Sequence, residues 1–198
     1  MALSLRPVLV TPPAVPLITR DEVKAYSRID GGDEDALIEV LIAAATAWLD
    51  GWRGILGRAL VNQTWRQDFA CFEPRMVLPL GPVQSIVSVK YYDSANVLQT
   101  ASSALYSLVT GAGGEGRVVL NSAQSWPGVY DRDDPVQITY VAGYGAAAAD
   151  VDGAIRQAAL MMVGHWYAVR EPVIVGAAVS EVPLTVEALI GPYRRVGV

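Results

Sequence analysis

The sequence is short of the residues on which most enzyme active sites depend. Its 198 residues include one histidine, His165, and one cysteine, Cys71. A single cysteine excludes an intramolecular disulfide, and one cysteine with one histidine cannot build a Cys/His zinc site. Such sparing cysteine usage is typical of a reducing cytosol. We therefore expect a protein that is not an enzyme, needs no cofactor or metal, and acts through its surfaces.

Charged residues are scarce as well, at 18 % of the chain, whereas hydrophobic residues make up 52 %. The usual charged fraction is about a quarter. This composition gives more apolar surface than a monomer of this size can bury, and it therefore predicts self-association. The net charge of −5 argues against a nucleic-acid clamp, because phosphate binding needs clustered Lys and Arg. The negative net charge remains compatible with an acidic channel wall past which DNA slides.

The apolar N-terminal stretch is interrupted by Pro7, Pro12, Pro13 and Pro16. These prolines forbid a continuous helix, and the stretch lacks the basic start and the small-residue cleavage site of a signal peptide. We predict no membrane segment. Residues 1–17 are predicted to form an extended Pro-rich arm that could lie along a neighbouring molecule. A frayed terminus is the alternative.

Two helices are predicted before residue 60. Thr19 and Glu22 form a capping box that starts the first helix at Arg20, and this helix should end near Ile29. The acids at 33–35 lie where the dipole of the next helix is positive. Apolar residues recur there at helical spacing in a main stripe of Leu37, Leu41, Ala44, Trp48 and Trp52, widened by Ile38, Ile42, Ala45 and Leu49. We expect this helix to be covered on most sides.

Residues 61–145 change to the period-two pattern of strands separated by Gly, Pro, Asn and Asp. The predicted strands are 64–69, 76–80, 83–92, 105–109, 117–120 and 136–141, with a possible short strand at 97–100. Antiparallel hairpins are the natural assembly. A third helix follows a cap at Asp150 or Asp152, with Val151, Ile155, Ala158, Ala159, Met162, Trp166 and Val169 on its buried side and an end before Pro172. A short strand at 173–175 and a last helix at 185–191 complete the chain.

The fold class is therefore α+β. Residues 18–60 and 146–198 are predicted to form a small helical bundle core, and residues 61–145 a long antiparallel β-rich insertion.

Three features resemble chemical sites but have simpler interpretations. The Gly-rich stretch 111–116 lacks the Gly-Lys-Ser/Thr ending of a phosphate loop. Asp131, Asp133 and Asp134 gather in a turn without the Gly and distal Glu of a calcium loop, so a solvated acidic turn is favoured. His165 lies between aromatic neighbours on a predicted helix, where a packed histidine is more common than a general base.

An ordered series of fragments resembles the head–tail adaptor, or connector, proteins of tailed bacteriophages. The fragments are residues 18–24, 33–38, 43–45, 63–65, 124–127, 140–145, 155–158, 164–167, 170–171, 186–189 and 192–194. Each fragment is weak, but the order is specific and spans about residues 18 to 195. Phage-derived gene transfer agents carry relatives of these proteins, and the sequence does not choose between the two.

The resemblance implies a non-enzymatic ring, usually of twelve copies, in the neck of a virion or phage-like particle made in the bacterial cytoplasm. Its partners would be further copies of the chain, the portal protein and a tail-side neck or stopper protein. Double-stranded DNA would pass through the bore without sequence-specific binding, and negative charge there would keep it from sticking.

Aromatic and basic residues are the natural candidates for contacts in such a ring. We predict Trp48, Trp52, Trp166 and Tyr167 at subunit interfaces, and Tyr193, Arg194 and Arg195 on the portal. Two alternatives stay open. One is a free-standing oligomeric binding module, and the other is a small enzyme that uses a metal at the Asp131–Asp134 turn.

Overall fold

The computed structural model describes residues 6–169 and 184–195. The described residues divide into two compact units. One unit comprises the chain up to Ala14 together with Asn62–Ala146, and the other comprises Val15–Val61 and the chain from Ala147 onward. Helices dominate the second unit and antiparallel strands the first, which confirms the α+β class. The strand predicted at 173–175 lies outside the described residues.

Among the described residues, the helical unit has four α-helices. These are α1 (Arg20–Ser27), α2 (Asp35–Leu49), α3 (Gly153–Ala168) and α4 (Leu184–Ile190), and short 3₁₀ turns at Ala148–Asp150 and Gly191–Tyr193 flank the last two. Helix α3 packs against each of the other three. The buried core of this unit includes Leu17, Ile18, Val23, Ile38, Leu49, Leu56, Ile155, Ala159, Met162, Val186 and Ile190. Within the described residues, no helix combines the length and the apolarity needed to cross a membrane.

The start of α1 is the predicted capping box. The Thr19 hydroxyl accepts the backbone N–H of Glu22 at 3.2 Å, and the Glu22 carboxylate accepts the backbone N–H of Thr19 at 2.7 Å. The helix ends slightly earlier than predicted, because Arg28 adopts the left-handed conformation with φ of 54° and caps it. A Gly normally serves this purpose, so the sequence directed attention to Gly31.

The buried side of α2 differs from the predicted main stripe. Ile38, Ile42, Ala45 and Leu49 are buried, whereas Leu37, Leu41 and Trp48 are half-buried and Ala44 is exposed. The prediction that this helix is covered on most sides is therefore wrong for the isolated chain. Two apolar stripes lie about a quarter-turn apart on the helix, and periodicity alone does not tell which one faces the core.

Helix α3 follows its prediction closely. Asp152 is the N-cap, and its carboxylate accepts the backbone N–H of Ala154 at 3.0 Å. The predicted buried residues are buried up to Met162, and Val163 joins them. Trp166 and Val169 are half-buried. Gly164 lets α1 approach closely, because a Cβ there would lie 3.1 Å from the Tyr26 ring.

The described part of the β unit has eight strands in two sheets, and all of their pairings are antiparallel. The strands are β1 (Val8–Thr11), β2 (Gln63–Phe69), β3 (Arg75–Leu78), β4 (Val83–Tyr92), β5 (Leu98–Thr100), β6 (Tyr106–Thr110), β7 (Gly116–Leu120) and β8 (Val136–Ala142). Every strand predicted within residues 61–145 is present. The arm contributes β1, which pairs with β2.

The five-stranded sheet has the order β1-β2-β8-β4-β5. One of its faces carries the buried side chains of Trp65, Phe69, Ile138 and Tyr140, which alternate with half-exposed polar residues along β2 and β8. The smaller sheet has the order β3-β7-β6, and β3 and β7 bury Met76, Leu78 and Val118 on one of its faces. The opposite face of this smaller sheet is solvent-exposed along most of its length.

Candidate assembly surfaces

The outer side of α2 is an apolar surface that the described fold leaves uncovered. Val40 is 64 % exposed and lies on the side of the helix opposite the buried residues. Ala36, Ala43 and Ala47 are exposed beside it, and the half-buried Leu37, Leu41 and Trp48 continue this surface around the helix. We call this the outer surface of α2. Glu39 is the one charged residue within residues 36–49.

The four aromatic residues predicted at subunit interfaces differ in how exposed they are. Trp52 is 41 % exposed in the turn that follows α2, and Trp48 is half-buried in the last turn of that helix. Trp166 and Tyr167 are half-buried in the last turn of α3. The Tyr167 hydroxyl donates to the carboxylate of Glu34 at the start of α2. Trp52 is therefore the most exposed of the four, and Tyr167 ties two helices of its own chain together.

The C-terminal residues are fastened to the helical unit through their backbone. Arg58 Nε donates to the Tyr193 carbonyl oxygen at 2.7 Å, and the Arg195 N–H donates to the Leu56 carbonyl oxygen at 3.0 Å. The Tyr193 side chain is hydrogen-bonded to the Asp152 carboxylate and, after the bond from the Ala154 N–H, helps lower the pKa of Asp152. Arg194 is exposed. Of the three predicted portal residues, Arg194 is the most available to a partner.

Ion pairs hold the corner between α1 and α2. Asp35 at the start of α2 accepts from Lys24 Nζ at 2.7 Å and lies 3.1 Å from Arg20, and the hydrogen bond from Lys24 is the largest cause of its lowered pKa. Glu22 pairs with Arg156 of α3. Partial burial opposes ionisation of Glu22, but hydrogen bonds from Thr19 and the charge of Arg156 more than offset it and lower its pKa. This corner is therefore held by charged groups.

The solvent-facing side of the three-stranded sheet combines valines with arginines, which the sequence analysis did not single out. Val77, Arg117 and Val109 lie opposite one another across β3, β7 and β6. Arg75 and Val119 form the next row on the same side. The alternation of Arg and Val along β3 and β7 was the available signal, because a period of two places such residues on one face.

The turn that suggested a metal site is organised by an arginine. Arg132 donates to Asp134 at 2.6 Å and lies 4.0 Å from the centre of the Tyr92 ring. The hydrogen bond with Asp134 is the largest cause of the raised pKa of Arg132. In the part of the chain that the structure describes, no three His, Cys, Asp or Glu side chains are grouped to hold a metal ion. Cys71 is exposed.

This chain resembles known proteins both in sequence and in fold. The model of the head completion protein family matches residues 16–196. A chain in the neck of an empty gene transfer agent (GTA) particle, computed with C6 symmetry, is similar with a TM-score of 0.77 and 23 % identity, over 98 % of this chain and 97 % of that chain. A chain of a native GTA virion has a TM-score of 0.76 and 24 % identity over the same shares.

A third similar chain comes from the neck of a native GTA particle computed with C12 symmetry. Its TM-score is 0.67 at 24 % identity, over 96 % of this chain and 97 % of that one. No curated protein sequence matches the chain. At these identities the structural likenesses establish the fold, while the family model covers nearly the whole sequence and confirms the resemblance to head–tail adaptors. The chain belongs to the head completion protein family.

Proposed function

We propose that this chain is a head–tail adaptor that forms a homo-oligomeric ring, between the portal and a tail-side neck protein, in the neck of a virion or phage-like particle.

 Double-stranded DNA passes through its channel. The structural role follows from the family, and the uncovered outer surface of α2 is the observation that carries the ring.

The outer surface of α2 is too apolar for a helix that faces water in the assembled state. Val40 is exposed and Leu41 and Trp48 are half-buried on this helix, and Trp52 is exposed in the turn that follows it. Large exposed apolar patches mark sites of protein association. Aromatic residues concentrate binding energy at such sites. This supports Trp48 and Trp52 as interface residues.

A closed ring makes use of such a surface because each subunit presents two different patches to its two neighbours. The helical core of residues 18–60 and 146–198 forms the ring body in this proposal, and the β-rich insertion of residues 61–145 extends toward the tail side. Trp166 and Tyr167, half-buried at the end of α3, complete the candidate interface. A similar chain in a neck computed with C12 symmetry supports a ring of twelve copies.

The charge of the chain suits a channel that does not retain DNA. The net charge is −5, and Asp21, Asp30 and Asp33 are exposed acidic residues near the first two helices. Like charge between protein and phosphate weakens binding, so DNA passes without being held. The wall of the channel therefore does not retain DNA, and no residue recognises its bases.

The portal contact centres on Arg194 in this proposal, with Tyr193 and Arg195 positioning it. Backbone bonds to Leu56 and Arg58 hold the segment in place and leave the Arg194 side chain exposed. An exposed arginine held on an ordered segment suits an acidic or carbonyl-rich partner surface.

The ring is tested with particles produced in cells whose own copy of the gene is deleted and replaced by a variant. Val40→Glu places a charge on the outer surface of α2 without touching the core, and we expect the variant to fold normally but to be lost from purified particles. Val87→Glu is the matched control, because Val87 is 57 % exposed on β4. Electron microscopy of wild-type particles should show the chain as a ring at the neck. Its absence there, or a fixed dimer in place of a ring, would refute the proposed function.

The portal contact is tested separately with purified portal protein. Arg194→Glu should weaken binding to the portal, whereas Arg53→Glu, an equal charge reversal at another exposed site, should not. Deletion of residues 192–198 should also weaken binding, but it removes the bonds to Leu56 and Arg58 as well. Undiminished portal binding by both the point variant and the deletion would rule out this segment as the contact.

A further inference from the structure

We propose that the exposed face of the three-stranded sheet docks on the outer surface of α2 of a second copy of this chain. Arg75 and Arg117 of one subunit then meet Glu39 of the next. This inference rests on the proposed ring and identifies the second of the two patches that a ring requires.

The sheet side of the contact is flat and accessible. Val77 is 56 % exposed and Val109 is 40 % exposed, and Arg117 lies between them in the same cross-strand row. Arg75 and Val119 flank this row. The valines and arginines of this face, with Ser107 beside Val119, form a surface suited to a partner that is apolar and carries negative charge.

Arg75 and Arg117 differ from Arg66 and Arg132 in their ion pairing. Neither the Arg75 nor the Arg117 guanidinium forms an ion pair with any residue that the structure describes. Arg66 and Arg132, in the same unit, each pair with an aspartate two residues away. Arg75 and Arg117 are therefore available for a contact between molecules, and they share one face of the three-stranded sheet.

The helix side of the contact has the complementary composition. Glu39 is exposed and forms no ion pair among the described residues, while Lys24 and Arg20 are engaged by Asp35. Its neighbours on the helix surface are Ala36, Val40 and Ala43. Small side chains allow a helix to approach a flat sheet closely, and the single carboxylate would then lie within reach of the arginines.

The two surfaces also match in size. From Ala36 to Ala47 the helix is roughly 17 Å long, at about 1.5 Å per residue. A strand of five residues spans roughly 17 Å, and three strands cover roughly 10 Å in width. One helix therefore covers the exposed sheet face along its length.

The contact is heterologous, since the sheet face and the helix surface are different patches of the chain. Such a contact repeats from each subunit to the next and closes into a ring when the rotation permits. It buries the valines of one subunit against the alanines and Val40 of its neighbour, which accounts for apolar surface on both units.

Charge reversal tests the pairing in the particle-producing cells described above. Glu39→Arg and Arg117→Glu should each reduce incorporation into particles roughly tenfold or more, because like charges then face each other at every interface of the ring. The double variant carrying both changes should regain most of the incorporation. All three variants should keep the thermal midpoint of the wild type, since both residues are exposed.

Co-expression of the two single variants distinguishes contact between molecules from contact within one. Where the variants alternate around a ring, the reversed Glu at 117 meets the reversed Arg at 39, and the unchanged Arg117 meets the unchanged Glu39. We expect particles to contain both variants in similar amounts although neither is incorporated alone. Failure of the mixture, with rescue by the double variant, would place the pair within one chain and overturn the proposal.

Matched controls are Asp133→Arg and Arg6→Glu, which change the net charge equally at exposed positions outside the two surfaces. Both should be incorporated like the wild type. Full incorporation of either Glu39→Arg or Arg117→Glu would overturn the pairing while the ring stands. Absence of the wild-type chain from particles would overturn the proposed function itself, and this pairing with it.

Discussion

Helices α1 and α2 are neighbours in the sequence, but α1 is held in the fold mainly by polar and charged contacts and α2 mainly by apolar burial. Helix α1 buries one side chain, Val23, and depends on its capping box and on ion pairs to Asp35 and Arg156. Helix α2 buries four apolar side chains, has no side-chain cap, and leaves a further apolar surface exposed. The difference shows which helix stabilises the subunit through charge, and which has apolar area left for assembly.

The largest expected effect separates the two sides of α2. Ile42→Ala should lower the free energy of unfolding by about 2–5 kcal/mol, because it removes buried volume from the core. Val40→Ala, on the outer surface, should change it by less than about 0.5 kcal/mol. Chemical denaturation of both purified variants measures this. Equal losses would mean that the outer surface is covered in the isolated chain.

A smaller effect is expected for the cap of α1. Thr19→Ala removes the acceptor for the Glu22 N–H and should cost about 1 kcal/mol, a typical loss for an N-cap residue. Thr19→Ser keeps the hydroxyl and serves as the control. If both substitutions cost the same, the hydroxyl contributes nothing, and α1 is held by Val23 and its ion pairs alone.

The smallest effect is the pH dependence of the charged corner. The pKa values of Glu22 and Asp35 are lowered in the folded protein, so the unfolded chain binds protons more readily. Their contribution to stability is present above the ordinary pKa values of 4.5 and 3.8 and is lost as the pH falls through the lower folded-state values.

Unfolding measured from pH 6 down to pH 3 tests this, with Glu22→Gln as the comparison. The variant should be less stable than the wild type near pH 6 and should approach it as the pH falls, since its side chain has no proton to gain. A constant difference between the two across this range would show that Glu22 does not act through its charge.

Local signals predicted much of the fold. The capping box placed the start of α1 at Arg20, and the cap of α3 was predicted at Asp150 or Asp152, of which Asp152 is the N-cap; each signal depends on hydrogen bonds within a few residues. The period of two located the strands for the same reason. The order of the strands could not be read in this way, since β2 pairs with β8 across some seventy residues of chain and β1 joins them from the arm.

The candidate surfaces were only partly predictable. Trp48 and Trp52 were chosen for their residue type; the structure leaves Trp52 exposed and Trp48 half-buried, and their place at a subunit interface stays a prediction. Glu39, Arg75 and Arg117 were overlooked, because a charged residue in a helix or strand is ordinarily just solvated. Their significance depends on having no ion-pair partner among the described residues, which is a property of the folded chain.

The sequence by itself determined the α+β class, the positions of the helices and strands, and the resemblance to head–tail adaptors. These follow from composition, local hydrogen bonding and residue order. Only the tertiary structure decided that Ile38, Ile42, Ala45 and Leu49 face the core while Leu37, Leu41 and Trp48 lie toward solvent. Both stripes of α2 are equally apolar, so burial was settled by which side meets α3 and not by the residues of the helix alone.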